Sequence, residues 1–386
     1  MRPAWRIEQV QSLAGVRSDE WNAIAGVDNP FLSHAFLAGL EIHGCLADHG
    51  WQSCHVLVRD GAQLIGALPL YLRGNSHGEF VFDWSWAEAL ERAGGRYYPK
   101  LVTAIPFTPV RGPRFLVHPR AAEPDVVRRL LLEYALAFAR DNGLSSWHCL
   151  FPDTEDAEWL SARTELLPRC TCQFHWRNRG YEDFEAYLGA LDAKRRKQIR
   201  RERREVAGSG VEIVRLGGAD VTPQLWQVFH RFYRSTFERR WGEPRLTLPF
   251  FRSLSGTLAD RTLLILARDR GEWIAGAFAM VGSDTVYGRH WGCSRTVPFL
   301  HFELCYYQTI EYCIQRRLRS VDAGVQGEHK VPRGFEPEAA LSFHWLRDPG
   351  FHAAVQTYLE HERAHVTRYV GELRAHLPYR AACAAR

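Results

Sequence analysis

Val56-Leu57-Val58-Arg59-Asp60-Gly61-Ala62-Gln63-Leu64-Ile65-Gly66-Ala67 returns, one residue longer, as Ile265-Leu266-Ala267-Arg268-Asp269-Arg270-Gly271-Glu272-Trp273-Ile274-Ala275-Gly276-Ala277. Each stretch reads as a β-hairpin: an aliphatic strand, an Asp/Gly turn and a second strand. The surrounding elements repeat in the same order. Helix-rich sequence precedes each hairpin, at 33–43 and 224–239. After each comes an amphipathic helix and a short strand, 126–142 before 146–150 and 299–316 before 320–325. Repetition on this scale predicts two copies of one α/β module. The boundary falls after the strand-like 170–177, near Gly180, giving a first module over 1–178 and a second over 179–380.

A length of 386 residues suits two domains with cores of their own. With 46% hydrophobic and 24% charged residues the composition is that of a globular protein, and no apolar run is long enough to span a bilayer. The stretch Met1 to Glu8 lacks the apolar segment and cleavage site of a secretory signal, so a cytoplasmic location is expected. Nine cysteines scattered from Cys45 to Cys383 fit reduced thiols better than a disulfide framework. The close pair Cys170 and Cys172 reads as two strand thiols, because a zinc site needs a second pair at matching spacing. Thirteen Trp against two Met supply large, stiff contact area, for cores and for surfaces that line a substrate.

The formal charge of +5 is concentrated. Lys194 to Arg204 holds eight basic residues and one acid, leaving the remainder of the chain slightly acidic. Phe184, Tyr187, Leu188, Leu191, Ile199 and Val206 recur at helical spacing, which predicts one helix with a thin apolar stripe ended by Gly208-Ser209-Gly210. Lys194, Arg195, Arg196, Lys197, Arg200 and Arg201 are its candidate polyanion-binding residues, for RNA, the phosphates of a lipid-linked or nucleotide-linked substrate, or peripheral contact with a membrane surface. A solvated helix face answered by acids elsewhere is the competing reading.

Ionisable and aromatic residues gather where strands and helices of the second module should end. The stretches are Tyr287-Gly288-Arg289-His290-Trp291-Gly292-Cys293, His301-Phe302-Glu303, Gln326-Gly327-Glu328-His329-Lys330 and Arg333-Gly334-Phe335. Together with Asn29-Pro30-Phe31-Leu32-Ser33, Gly78 to Trp84, Tyr97-Tyr98-Pro99-Lys100 and Pro106-Phe107-Thr108-Pro109, they make the chain resemble, over nearly its whole length, the FemAB-like predicted N-acyltransferases of bacteria. The resemblance implies two tandem Gcn5-related acyltransferase modules of mixed α/β class, each a mostly antiparallel sheet flanked by helices. It also implies acyl or aminoacyl transfer to an amine by direct attack in a ternary complex, with a small molecule or cell-wall precursor as acceptor.

Such a reaction needs a group to take the amine proton and donors for the developing oxyanion. Glu303, Glu328 and His329 are the candidates for catalysis. Glu303 sits among Phe302, Leu304, Cys305, Tyr306 and Tyr307, where desolvation would raise its pKa toward neutrality, and the alternative is an acid paired with a structural Arg. Glu328 and His329 follow a strand in a Gly-flanked loop, or else form an ordinary turn with neighbouring cations. Arg289, Lys330 and Arg333 are candidate anion clamps, and His290, Trp291, His301, Tyr306 and Tyr307 candidate lining of an acceptor channel. In the first module His77, Glu79, Asp83, Tyr97 and Lys100 form a comparable set, which would bind the acceptor or serve structure alone.

No tightly bound cofactor and no metal is expected, and the acyl donor stays open between aminoacyl-tRNA and acyl-CoA. A Gcn5-related domain that uses acetyl-CoA carries a Gly-rich turn at a helix N-terminus, whereas the turn here is Ser294-Arg295-Thr296-Val297-Pro298-Phe299, without glycine. That weakens acyl-CoA and favours tRNA as the partner that brings the acyl group. Oligomeric state is not set by the sequence. Two rivals come from other classes. His361-Glu362-Arg363-Ala364-His365 matches the H-E-x-x-H zinc-hydrolase pattern, yet both histidines fall off the helix's apolar stripe of Val355, Leu359, Val366, Val370, Leu373 and Leu377. A protein that binds a cell-wall precursor or RNA without turnover is the other.

Overall fold

The computed structural model describes residues 5–238, 242–325 and 327–380. It divides into two compact units, one of residues up to Thr171 with Ala339–Arg368, the other of Cys172–Glu338 with the residues from Tyr369 on. A single cut after residue 178 therefore does not separate them. Residues 339–368, which sequence order assigns to the second module, lie in the first unit.

In the first unit the hairpin is the pair His55–Asp60 and Gln63–Leu68, extended by Trp5–Val10 on one side and Leu116–Val117 on the other. A second run of neighbours is Trp51–Ser53, Leu70–Arg73, Lys100–Thr103, Ser146–Leu150 and residues 342–346. Its parallel pair, Lys100–Thr103 with Ser146–Leu150, requires a crossover, and the helix Pro124–Asp141 supplies it. The helix buries Val127, Leu131, Leu132, Ala135, Leu136 and Ala139 against Val56, Leu68, Trp147 and Phe343.

The second unit repeats this plan. Glu212–Gly217, Thr262–Asp269, Glu272–Val281 and Thr285–Cys293 pair antiparallel in that order, then Thr285–Cys293 runs parallel to Ser320–Asp322. Ser320–Asp322 pairs in turn with residues 175–177. Between the parallel strands the chain forms Leu300–Phe302, a π-helical turn Glu303–Tyr307 and the helix Gln308–Gln315, whose Leu300, Leu304, Tyr307, Ile310 and Ile314 enter the core. Both hairpins also carry the same irregularity. Their registers skip Ile65 after Val58/Arg59 and Ile274 after Ala267/Arg268, equivalent places in the repeat.

The basic segment differs from its expectation. Two helices, Phe184–Ala190 and Ala193–Gly208, replace the single one. Asp192 between them is extended and its side chain accepts from Arg195 N at 2.8 Å, so it caps a new helix instead of continuing the old one. The C-terminal helix is Pro349–Ala375, with Val355, Leu359, Val370 and Leu373 buried and His361 and His365 exposed. Among the described residues no helix is long and apolar enough to cross a membrane.

Candidate functional site

Two features of the Thr285–Cys293 strand open a cavity in the second unit. Its pairing with Glu272–Val281 passes from Gly288 opposite Ala279 to His290 opposite Phe278, so Arg289 is the extra residue of a β-bulge. Bulges re-aim side chains and are common beside active sites. Gly292 then lets the helix Pro223–Glu238 close on the strand, since a Cβ there would lie 1.9 Å from Phe232 O. Thr236 Oγ1 donates to Trp291 O at 2.8 Å, and the Tyr233 ring packs on His290 with centroids 4.8 Å apart.

The resulting cavity of about 500 Å³ is lined by Arg289, His290, Trp291, His301, Cys305, Tyr306, Thr309, His329 and Lys330, among others. Seven residues expected from sequence thus meet in one place: Arg289, His290, Trp291, His301, Tyr306, His329 and Lys330. His301 lies 5.3 Å from Trp291, 5.5 Å from Tyr306 and 6.1 Å from His329 between ring centroids. Tyr306 Oη and His329 Nε2 are 2.8 Å apart. Gly327 makes room for that imidazole. At φ 109° a side chain there would be strained, and its Cβ would stand 2.4 Å from His329 Cε1. Gln326, next to it, lies outside the described residues.

Electrostatics in the cavity favour neutral imidazoles. Burial, then the charges of His329, Arg333 and Lys330, push His301 down to about 4. Partial desolvation, with Lys330 and Arg333 nearby, lowers His329. Lys330 is buried, which brings it down to about 8 although Asp322 opposes the shift. Its Nζ donates to Ala323 O at 2.6 Å and sits 3.5 Å from Gly324 O. An ammonium has three N–H donors, so one remains for the cavity. Burial lowers Arg289 to about 10.

The two carboxylates nominated for catalysis point elsewhere. Glu303, on the π-helical turn, accepts from Arg203 Nη2 at 3.1 Å and from Gln308 Nε2 at 2.8 Å, which is the structural pairing weighed against a free base. Glu328 is exposed and accepts from Tyr369 Oη at 2.9 Å. Tyr307 and Arg333 also leave the cavity lining. Arg333 donates through Nη2 to both oxygens of Glu202 at 2.9 and 2.8 Å, through Nε to Tyr307 Oη at 2.8 Å and through Nη1 to His329 O at 2.7 Å. Tyr307 Oη also donates to Glu202. Glu202 was missed because it stands in a basic run, although its spacing from Ile199 and Val206 places it on the apolar stripe.

A second cavity, of about 740 Å³, lies against the Ala193–Gly208 helix. Arg196, Lys197 and Arg200 of the expected polyanion-binding set line it, with Arg203 and Arg204. Lys194, Arg195 and Arg201 are not in its lining.

In the first unit four of the five nominated residues form one buried network. Lys100 Nζ donates to Ser76 Oγ at 2.8 Å, Glu79 Oε2 at 2.7 Å and Asp83 Oδ2 at 2.5 Å, and Tyr97 Oη donates to Asp83 at 2.6 Å. Burial alone would lower Lys100, but Asp83 and Glu79 outweigh it and raise the group. His77 is exposed, its ring beside Trp84. Nearby His148 and His344 meet Nδ1 to Nδ1 at 2.5 Å, each with a Ser hydroxyl on Nε2. In the H-E-x-x-H segment the Glu362 carboxylate is gripped by Arg169 at 2.8 and 2.7 Å, and His361 Nδ1 contacts Thr357 O at 2.8 Å.

A family model described as FemAB-like, peptidoglycan biosynthesis/recognition, matches residues 12–381. Among solved structures, that of FemX superposes with a TM-score of 0.53 at 10% identity, covering 90% of this chain and 100% of FemX. The C-terminal domain of a protein described as a lysylphosphatidylglycerol synthetase from Agrobacterium fabrum gives 0.52 at 8% identity, covering 89% of this chain and 95% of the other. A conserved protein of unknown function from Bacteroides thetaiotaomicron gives 0.52 at 11%, covering 89% and 100%. At such identities the likeness concerns the fold. Comparison with curated protein sequences finds no match.

Proposed function

The chain belongs to the FemAB-like family, and from that premise we propose that it is an N-acyltransferase that moves an acyl or aminoacyl group onto the amine of a cell-wall precursor. The observation that carries the reading is the His329–Tyr306 pair, 2.8 Å apart, beside Lys330 in one cavity. His329 takes the role of base in place of Glu303 and Glu328, whose carboxylates have other partners.

The acceptor nitrogen bonds to the acyl carbon while the carbonyl π pair moves to oxygen. As it attacks, the amine passes a proton to Tyr306 Oη, which gives its own to His329 Nε2. A neutral imidazole is the form that can accept it, and the lowered His329 is neutral at pH 7. The ammonium of Lys330 offers charge to the oxyanion in a partly dry site, where such stabilisation is strongest. When the intermediate collapses, the bond to the leaving group breaks, that group keeps the electron pair, and the imidazolium supplies its proton. Trp291 and His301 wall the acceptor side.

The test is direct. Purified chain is incubated with an amine-bearing peptidoglycan precursor and either aminoacyl-tRNA or acyl-CoA, and the product is followed by mass spectrometry. Expected is an acceptor gaining one acyl group, with the product lost in His329→Gln. Acceptor binding without product from any donor would replace this reading by that of a recognition protein.

A further inference from the structure

We infer that Lys330 is itself an acyl acceptor: when the histidine cavity holds no acceptor amine, its Nζ takes the acyl group of an activated ester or thioester and becomes an amide. The chain makes nearly all of its positive charge with arginine, and only Lys100, Lys194, Lys197 and Lys330 carry a primary amine on the side chain. Their settings differ. Lys194 and Lys197 are exposed on the basic helix. Lys100 donates to Ser76, Glu79 and Asp83, which uses all three N–H bonds of its ammonium. Of the four, only Lys330 lines the cavity that contains the proposed base.

Its surroundings are those of a nucleophile. Both hydrogen-bond partners are neutral, Ala323 O at 2.6 Å and Gly324 O at 3.5 Å from Nζ. The ring of Phe174 lies 5.3 Å away, and Cys305, Tyr306 and Thr309 continue the cavity wall. Asp322, the acid nearby, uses Oδ1 to accept from Gly324 N at 2.7 Å. Burial favours the uncharged amine and brings the group down to about 8, although Asp322, Cys305 and Cys172 oppose the shift. A neutral amine has two N–H bonds and one lone pair. The two carbonyls take the N–H bonds, which turns the lone pair toward the cavity, a space of about 500 Å³ with room for an acyl group. A lysine desolvated in this way is a nucleophile near neutral pH.

No co-reactant beyond the donor is needed. The Nζ lone pair bonds to the acyl carbon, and the carbonyl π pair moves to oxygen. On collapse the bond to the leaving oxygen or sulfur breaks, and that atom keeps the electron pair. The proton displaced from nitrogen passes to neutral His329 in the same cavity and from there to the leaving group. An amide at Lys330 carries no charge. The oxyanion then loses its cation, and a chain exposed to donor alone switches itself off. That consequence rests on the transferase reading, whereas the acylation does not, because a simple activated ester reports it.

The full chain is treated with p-nitrophenyl acetate at about pH 8, and acetylation of each lysine is followed by peptide mass spectrometry. Lys330 is expected to react about tenfold or more faster than Lys194 and Lys197, because about half of an amine that titrates at about 8 is neutral there, against under about 1% of an ordinary lysine. The preference should vanish in a chain unfolded by urea. Lys330→Arg should remove the fast phase and leave acetylation of Lys194 and Lys197 as it was. Equal rates at Lys330 and the two exposed lysines, or labelling of Lys330 only in urea, would overturn the proposal. Chain acetylated beforehand is then expected to lose transfer to the acceptor in proportion to its Lys330 occupancy, and full transfer by that chain would overturn the switching-off. Absence of transfer by untreated chain would count against the transferase reading alone, and the order of lysine reactivity would still decide whether Lys330 is the acyl acceptor.

Discussion

The guanidinium of Arg333 donates to the main-chain oxygen of His329 at 2.7 Å while its other nitrogens hold Glu202 and Tyr307. The loop that carries the proposed base is thereby tied to a carboxylate on the basic helix. Both partners of the ion pair are nearly fully buried, with side-chain exposures of 4% and 2%. Glu202→Ala leaves Arg333 charged without its counter-ion, and removing one member of a buried pair costs about 3–5 kcal/mol. Urea denaturation should show a loss in that range, and a loss below about 1 kcal/mol would mean that water or another acid takes over.

The division of labour between His329 and Glu303 separates two mechanisms. His329→Gln should slow transfer by about 10²–10⁴-fold, the usual worth of a general base. Glu303→Gln keeps its hydrogen-bonding shape toward Arg203 and should stay within about threefold of wild type. Should Glu303→Gln abolish transfer and His329→Gln spare it, the base is the glutamate after all.

Gly327→Ala probes the placement of the same imidazole. A methyl group at that position would sit 2.4 Å from His329 Cε1 on a backbone at φ 109°. The ring must move away from Tyr306, so turnover is expected to fall about tenfold or more, since small misplacements near reacting atoms are costly. Circular dichroism should stay unchanged. Wild-type turnover in this variant would show that the Tyr306 contact is not used.

The pH profile of kcat/KM should be bell-shaped. His329 is lowered from its ordinary value near 6.5, so the acid limb lies below that pH and activity rises as the imidazole loses its proton. Lys330 titrates at about 8, so activity falls above it as the ammonium is lost. Lys330→Arg should carry the alkaline limb upward, because guanidinium stays charged. A limb that does not move would remove Lys330 from the reaction.

Buried histidines make stability pH-dependent in the first unit. Burial, reinforced by Lys100 and Arg169, holds His148 well below 6.5, and burial with His148 and Arg169 does so for His344, while Asp83 opposes both shifts. The folded protein keeps these rings neutral, whereas the unfolded chain takes up protons below about 6.5. Stability is therefore present above that pH and is lost as the solution is acidified through it. Denaturant midpoints at pH 7 and pH 5 should differ less in His344→Gln than in wild type, and an equal difference would show that this pair does not titrate as described.

How legible was all this in the sequence? The hairpin repeat and its flanking helices were, because they depend on local turns and periodicity. The break at Asp192 was hidden because Leu191 continues the helical apolar spacing, so only the capping side chain betrays the new start. Glu202 was readable in principle from its place on the Ile199–Val206 stripe, yet the surrounding charge drew it to the surface. The assignment of residues 339–368 to the first unit was not readable at all. It follows from strand pairing between distant segments, such as Trp345 with Trp147, which leaves no periodic mark.

That pairing also has a cost in time. The Ser146–Leu150 strand, already paired on one edge with Lys100–Thr103, receives its second partner only when residues 342–346 are made, and His148 and His344 stand 196 positions apart. At about 5–20 residues per second the ribosome needs roughly ten to forty seconds to bring the second histidine into being. Throughout that interval the nascent first half holds an unpaired β-edge and a lone imidazole beside its lysine–aspartate network, so an emerging chain would depend on a holdase for longer than one whose halves close in the order they are translated.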